Sequence, residues 1–191
     1  RTGDITVGAA ASVSLQGGAS KSAYAQLGHG GVSSGNGTMG GNIHVTTAGD
    51  VSVRGGTGAS TYASAYAQIG HGGTGATGAK SGSITIDSLG SQITVAGGTN
   101  TGATTGYYAM IGHGGDLNGG SAIGDIIINA LQASLAVTAG AQARNFARIG
   151  HGGYNPGGTK AGNISLLLGG DVTLNGGGLD SYAQIGHGGR G

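Results

Sequence analysis

One eight-residue segment restricts what this chain can fold into more than any other feature. Tyr24-Ala25-Gln26-Leu27-Gly28-His29-Gly30-Gly31 returns with small changes at 66–73, 108–115, 146–153 and 182–189. Its histidines, His29, His71, His113, His151 and His187, are spaced by 42, 42, 38 and 36 residues. A second module, Gly-[Asp/Asn/Ser]-Ile-x-[Val/Ile/Leu], begins at Gly3, Gly41, Gly82, Gly124 and Gly162. A third lies between them: Val13-Ser14-Leu15, Val51-Ser52-Val53, Ile93-Thr94-Val95, Leu135-Ala136-Val137 and Val172-Thr173-Leu174. Self-similarity at periods of this size is the mark of a repeat architecture in which each unit buries its apolar face against the next.

Each module alternates apolar with small or polar residues, the period of a half-buried strand. Ile5 and Val7 point one way and Thr6 the other; Val13 and Leu15 point in and Ser14 out. Glycine interrupts every stretch long enough for a helix. The expectation is an all-β fold, a parallel β-solenoid with three strands per coil and five repeats, about 3–40, 41–81, 82–123, 124–161 and 162–191. At about 4.8 Å per coil, five coils make a rod about 24 Å long. Two tighter coils per repeat remain the alternative, disfavoured because a repeat holds three clear strands rather than six. The core columns are then Ile5, Ile43, Ile84, Ile126 and Ile164, and Leu27, Ile69, Ile111, Ile149 and Ile185.

The spacing from the second strand to the aromatic residue varies: Val13 to Tyr24, Val51 to Tyr66, Ile93 to Tyr108, Leu135 to Phe146 and Val172 to Tyr182 span 11, 15, 15, 11 and 10 residues. Insertions in solenoids collect in loops, because the strands must keep register. This loop is the expected variable surface.

Composition narrows the function classes. Glycine supplies 48 of 191 residues with a single proline and no Gly-X-Y period, which excludes collagen. Charged residues are 8% of the chain and its formal net charge is +1. No basic stripe is present for a nucleic-acid backbone, and no apolar run is long enough to insert in a membrane. Cysteine is absent, in keeping with an exported repetitive protein. The chain opens on Arg1-Thr2-Gly3, neither a signal peptide nor an initiator methionine, and reads as an excerpt of something longer.

Stacking turns each repeated position into a column. Period-two alternation on the third strand places Leu27 and its counterparts inside. Tyr24, Tyr66, Tyr108, Phe146 and Tyr182 then form an outward aromatic ladder beside Gln26, Gln68 and Gln184, able to stack on sugar rings, although tyrosine can also fill a corner. Met110 and Arg148 replace glutamine in two coils, which weakens a uniform lattice. The histidine column is the candidate metal array, since imidazole is the commonest transition-metal ligand. Rings repeated every ~4.8 Å along a sheet do not converge on one ion, however, and no cysteine or regular carboxylate joins them. The favoured reading is a structural ladder bonded to backbone or to neighbouring rings. His44, on an outward strand position, reads as solvated.

Outward Thr6, Ser14, Ser52, Thr85, Thr94 and Thr173 suggest an ice-binding face, but His44, Ile127 and Ala136 interrupt it. Irregular aspartates exclude the calcium-binding nonapeptide pattern. Seven acidic residues, none recurring with a base partner, assemble no catalytic constellation, so neither enzymatic activity nor a cofactor is expected.

Gly-Asn-Ile-x-Val followed by Gly-Asp-Val-x-Val-x-Gly-Gly, at 41–56 and again from Gly162, resembles repeats of filamentous-haemagglutinin-like exoproteins, the two-partner-secretion adhesins related in architecture to autotransporter passengers. The Tyr-Ala-Gln-Ile-Gly-His-Gly-Gly segment is similar to repeats in very long adhesins of that kind. The resemblance covers essentially the whole chain but carries a fold signature and no functional residues. It implies a right-handed β-helix, secretion to the bacterial cell surface, and adhesion or fibre formation. Two roles follow as expectations. One is a structural rod or fibre that self-associates by head-to-tail stacking of coils without polar caps. The other is an adhesin module binding glycans or a cell-surface receptor.

Overall fold

The computed structural model describes residues 1–58, 64–99 and 106–191. Each repeat is one coil. Coil one supplies β1 (Ile5–Ala9), β2 (Val13–Gln16), β3 (Ala25–Leu27) and β4 (Met39–Gly40). Coil two supplies β5 (Ile43–Thr47), β6 (Val51–Arg54), β7 (Ala67–Ile69) and β8 (Lys80–Ser81). Coil three supplies β9 (Ile84–Ser88), β10 (Gln92–Ala96), β11 (Ala109–Ile111) and β12 (Ala122–Ile123). Coil four supplies β13 (Ile126–Ala130), β14 (Ser134–Thr138), β15 (Ala147–Ile149) and β16 (Lys160–Ala161), and coil five β17 (Ile164–Leu168), β18 (Val172–Asn175) and β19 (Ala183–Ile185).

Every strand pairs in parallel with its counterpart one coil away. This gives the five-stranded sheets β1-β5-β9-β13-β17, β2-β6-β10-β14-β18 and β3-β7-β11-β15-β19, and the four-stranded sheet β4-β8-β12-β16. The register keeps like residues opposite one another: Ile5 on Ile43, Val13 on Val51, Leu27 on Ile69. Pairing of successive repeats establishes one coil per repeat and removes the two-coil alternative. In coils one to four the three expected strands are joined by a fourth, two residues long. Two residues are too few to show a period.

All ten expected core isoleucines and leucine belong to or pack on a single apolar cluster filled by the inward residues of three sheets. Ile69, Ile84, Ile111, Ile126 and Ile149 are wholly buried, and the first and last coils are partly exposed. The position after glycine in the first module has its own task. Asp4 Oδ1 accepts the backbone N–H of Asn42 at 2.7 Å, Asn42 Oδ1 that of Ser83 at 3.0 Å, and Asp125 Oδ1 that of Asn163 at 2.7 Å. At Asp4, Asn42 and Asp125 the position is thus a side-chain acceptor serving the next coil's backbone. The longest copies of the variable loop fall on 59–63 and 100–105, outside the described residues.

Candidate functional site

The repeated segment positions every chemistry-bearing column. Its alanine and isoleucine lie on the third strand, and glycine then turns the chain. Gly70, at φ +145°, sits so close to the Gly112 carbonyl of the next coil that any Cβ would collide with it. The histidine follows at this turn. The imidazoles stack face to face, with centroids 5.0 Å apart for His29–His71 and 4.8 Å for His71–His113, His113–His151 and His151–His187.

Both ring nitrogens of His71, His113, His151 and His187 are committed. The backbone N–H of His29 donates to Nδ1 of His71 at 2.9 Å, and the pattern repeats from His71 to His113, His113 to His151 and His151 to His187 at 2.9–3.0 Å. Nε2 of His29, His71, His113, His151 and His187 lies 2.7–3.0 Å from the carbonyls of Gly3, Gly41, Gly82, Gly124 and Gly162. A peptide N–H can only donate, so Nδ1 of the last four rings is the bare acceptor and Nε2 carries the proton it gives to glycine. Each histidine therefore closes its own coil onto the start of that coil's first strand, and the last four also receive the coil before them.

The electrostatics favour neutral rings. Burial lowers the pKa of His71, the like charge of His29 assisting; that of His113 falls well below the ordinary value, and that of His151 falls to about 4. Arg148 and Lys160 add to the effect at His151, and Lys80 at His113. A metal ion would have to take nitrogens already used by the fold. Among the described residues, no group of three or more histidines, aspartates or glutamates is placed to hold one.

The aromatic column requires a correction. Tyr66, Tyr108 and Phe146 are 0% exposed, Tyr182 is half-buried, and only Tyr24, in coil one, reaches 41%. The outward ladder expected from alternation is an inward one. Its rings stack at 4.7–5.1 Å and, with Met110, form a second apolar cluster against which Val32 and Tyr154 pack. The Gly-Gly turn folds back over the ring: a Cβ at Gly31, Gly73, Gly115 or Gly189 would strike the hydroxyl of Tyr24, Tyr66, Tyr108 or Tyr182. Both faces of the third strand are thereby covered, one by the core and one by the chain's own return.

The glutamine column is also internal. Gln26 Nε2 donates to Gly70 O at 2.9 Å and Gln68 Nε2 to Gly112 O at 2.9 Å, each serving the turn of the next coil. Arg148, wholly buried, does the same with its guanidinium to Gly186 O and Gly188 O. Lys80 is buried too, its Nζ held by Ala76 O, Asn118 Oδ1 and Gly119 O, and burial lowers its pKa to about 8. His44 is not merely solvated: its Nε2 lies 2.7 Å from Asp87 Oδ2 on the neighbouring strand.

The fold is a parallel β-solenoid repeat protein. The chain matches no family model, no curated protein and no solved structure.

Proposed function

We propose that this chain is a non-catalytic structural segment, a rod that forms part of a secreted extracellular or cell-surface fibre. The observation that carries this reading is the direction of its recurrent polar and aromatic columns. Histidine, glutamine and tyrosine are spent on hydrogen bonds and stacking between coils and within them, and leave little chemistry facing solvent. A net charge of +1 supports no nucleic-acid partner. Because every ladder repeats by translation, a further coil of the same design, from a longer chain or a neighbouring copy, continues the sheets and the histidine column in register. Head-to-tail growth is the self-association we propose.

The competing reading, an adhesin stalk or module binding glycans or a cell-surface receptor, draws on the family resemblance. Burial of the tyrosine-glutamine face takes away its most concrete sequence argument. Electron microscopy of the concentrated chain separates the two. Filaments with an axial repeat of about 4.8 Å support the fibre. Discrete short particles at every concentration contradict it and favour the stalk.

A further inference from the structure

On the outer surface, Leu89 is 67% exposed and Leu131, at the same corner one coil on, is 66% exposed. Together with Ala9 and Ala48 they line a groove of about 480 Å³ on the outside of the first sheet. Its lining comes from coils one to four, three coil steps or about 14 Å along the axis. The size lies within the roughly 300–1,000 Å³ range of small-molecule sites, which pair apolar walls with a few placed polar groups.

The polar group here is Asp87, on the outward phase of β9. Asn129 Nδ2 donates to its Oδ1 at 2.8 Å, and His44 Nε2 lies 2.7 Å from its Oδ2. These hydrogen bonds, that of Asn129 foremost, hold its carboxyl below the usual carboxylate range. Among the described residues neither lysine nor arginine pairs with it. The groove therefore presents an anion beside an aliphatic wall. Its charge complement is a cation on an aliphatic stem.

We propose that this groove binds a small cationic amphiphile, with the aliphatic stem lying along Leu89 and Leu131 and the ammonium end against Asp87. A groove about 14 Å long with a volume of about 480 Å³ is of small-molecule size, so the occupant is a small molecule. The inference stands apart from the structural role and would hold for either a fibre or a stalk.

The test is a solution NMR titration of the whole chain with octylammonium, octanesulfonate and octanol as probes. Octylammonium should give saturable shifts at the amides of Leu89 and Leu131 and bind about ten-fold more tightly than octanesulfonate. Leu131→Ser should weaken octylammonium binding about ten-fold at an unchanged melting temperature, since this side chain is exposed. Asp87→Asn should bring amine and sulfonate to within about two-fold of each other. Equal affinity for amine and sulfonate in the unaltered chain would overturn the proposal. So would the absence of saturable shifts at these two leucines, or a Leu131→Ser variant that binds like the parent.

Discussion

The backbone N–H of His71 donates to Nδ1 of His113, 2.9 Å away in the next coil, so one coil's peptide fixes the protonation of the next coil's ring. Protonating His113 at Nδ1 would put two donors face to face, in a column whose neighbouring rings stand 4.8 Å away on either side. Lys80, Lys160 and Arg148 lie close enough to these rings to add repulsion.

Acid should therefore loosen the solenoid. His71, His113 and His151 take up protons less readily folded than unfolded, so stability is complete above their ordinary value of about 6.5 and falls as pH drops toward the folded values. For His151, lowered to about 4, the loss is on the order of 3 kcal/mol. Calorimetric melting should be level between about pH 7 and 8 and should decline steadily from about pH 6.5 to 4. A melting temperature unchanged over the acid range would show that these rings do not hold the coils.

A natural pair of substitutions offers a second test. Tyr66 OH donates to Gln26 Oε1 at 3.0 Å, linking aromatic and glutamine columns between coils one and two. Between coils three and four the corresponding residues are Met110 and Phe146, and neither can make the bond. Gln26→Met and Tyr66→Phe, which copy that native pair where the bond exists, should together cost about 0.5–1.5 kcal/mol less than the sum of the single changes. Urea denaturation of the four proteins measures this coupling, and strict additivity would count against it.

Two glycines separate close approach from mere permissiveness. Gly70→Ala drives a methyl into the Gly112 carbonyl at a positive φ and should unfold the coil. At Gly8 a Cβ meets nothing within 4 Å, so Gly8→Ala should shift stability by less than about 0.5 kcal/mol. Circular dichroism melts of both variants decide it, and similar melts for the two would refute the contact.

Core truncation should follow the ordinary rule. Ile111 is wholly buried, and Ile111→Ala should cost about 2–5 kcal/mol. Ile111→Asp, which buries an unpaired carboxylate, should disrupt the rod locally. An aspartate variant with the parent's urea midpoint would place this column outside the core.

The apolar columns were legible from sequence because β-branched residues recur with a period of two in five registers; Ile5, Ile43 and Ile84 stack as that period requires. The face of Tyr66 and Gln68 was not. Alternation tells one side of a strand from the other, but not which sides water reaches. Here the Gly72-Gly73 turn returns over the second side, and glycine carries no hydrophobic signal of such a cover. Nor could Arg148 and Lys80 be placed inside, since long cations are seldom buried and both rest on backbone carbonyls that no side-chain pattern encodes. The histidine ladder was legible in kind, through its regular spacing, although its tautomer needed the register of His29 on His71.

The most direct test of the account is the ¹⁵N NMR tautomer assignment of the imidazoles, followed from pH 7 to 5 and repeated with zinc. At pH 7 the protons of His71, His113 and His151 should sit on Nε2 with Nδ1 bare, His113 and His151 should keep that form to pH 5, and zinc should change nothing. Protonation at Nδ1 at pH 7, titration of His113 or His151 near the ordinary histidine value, or zinc-dependent shifts would contradict the structural ladder on which the account rests.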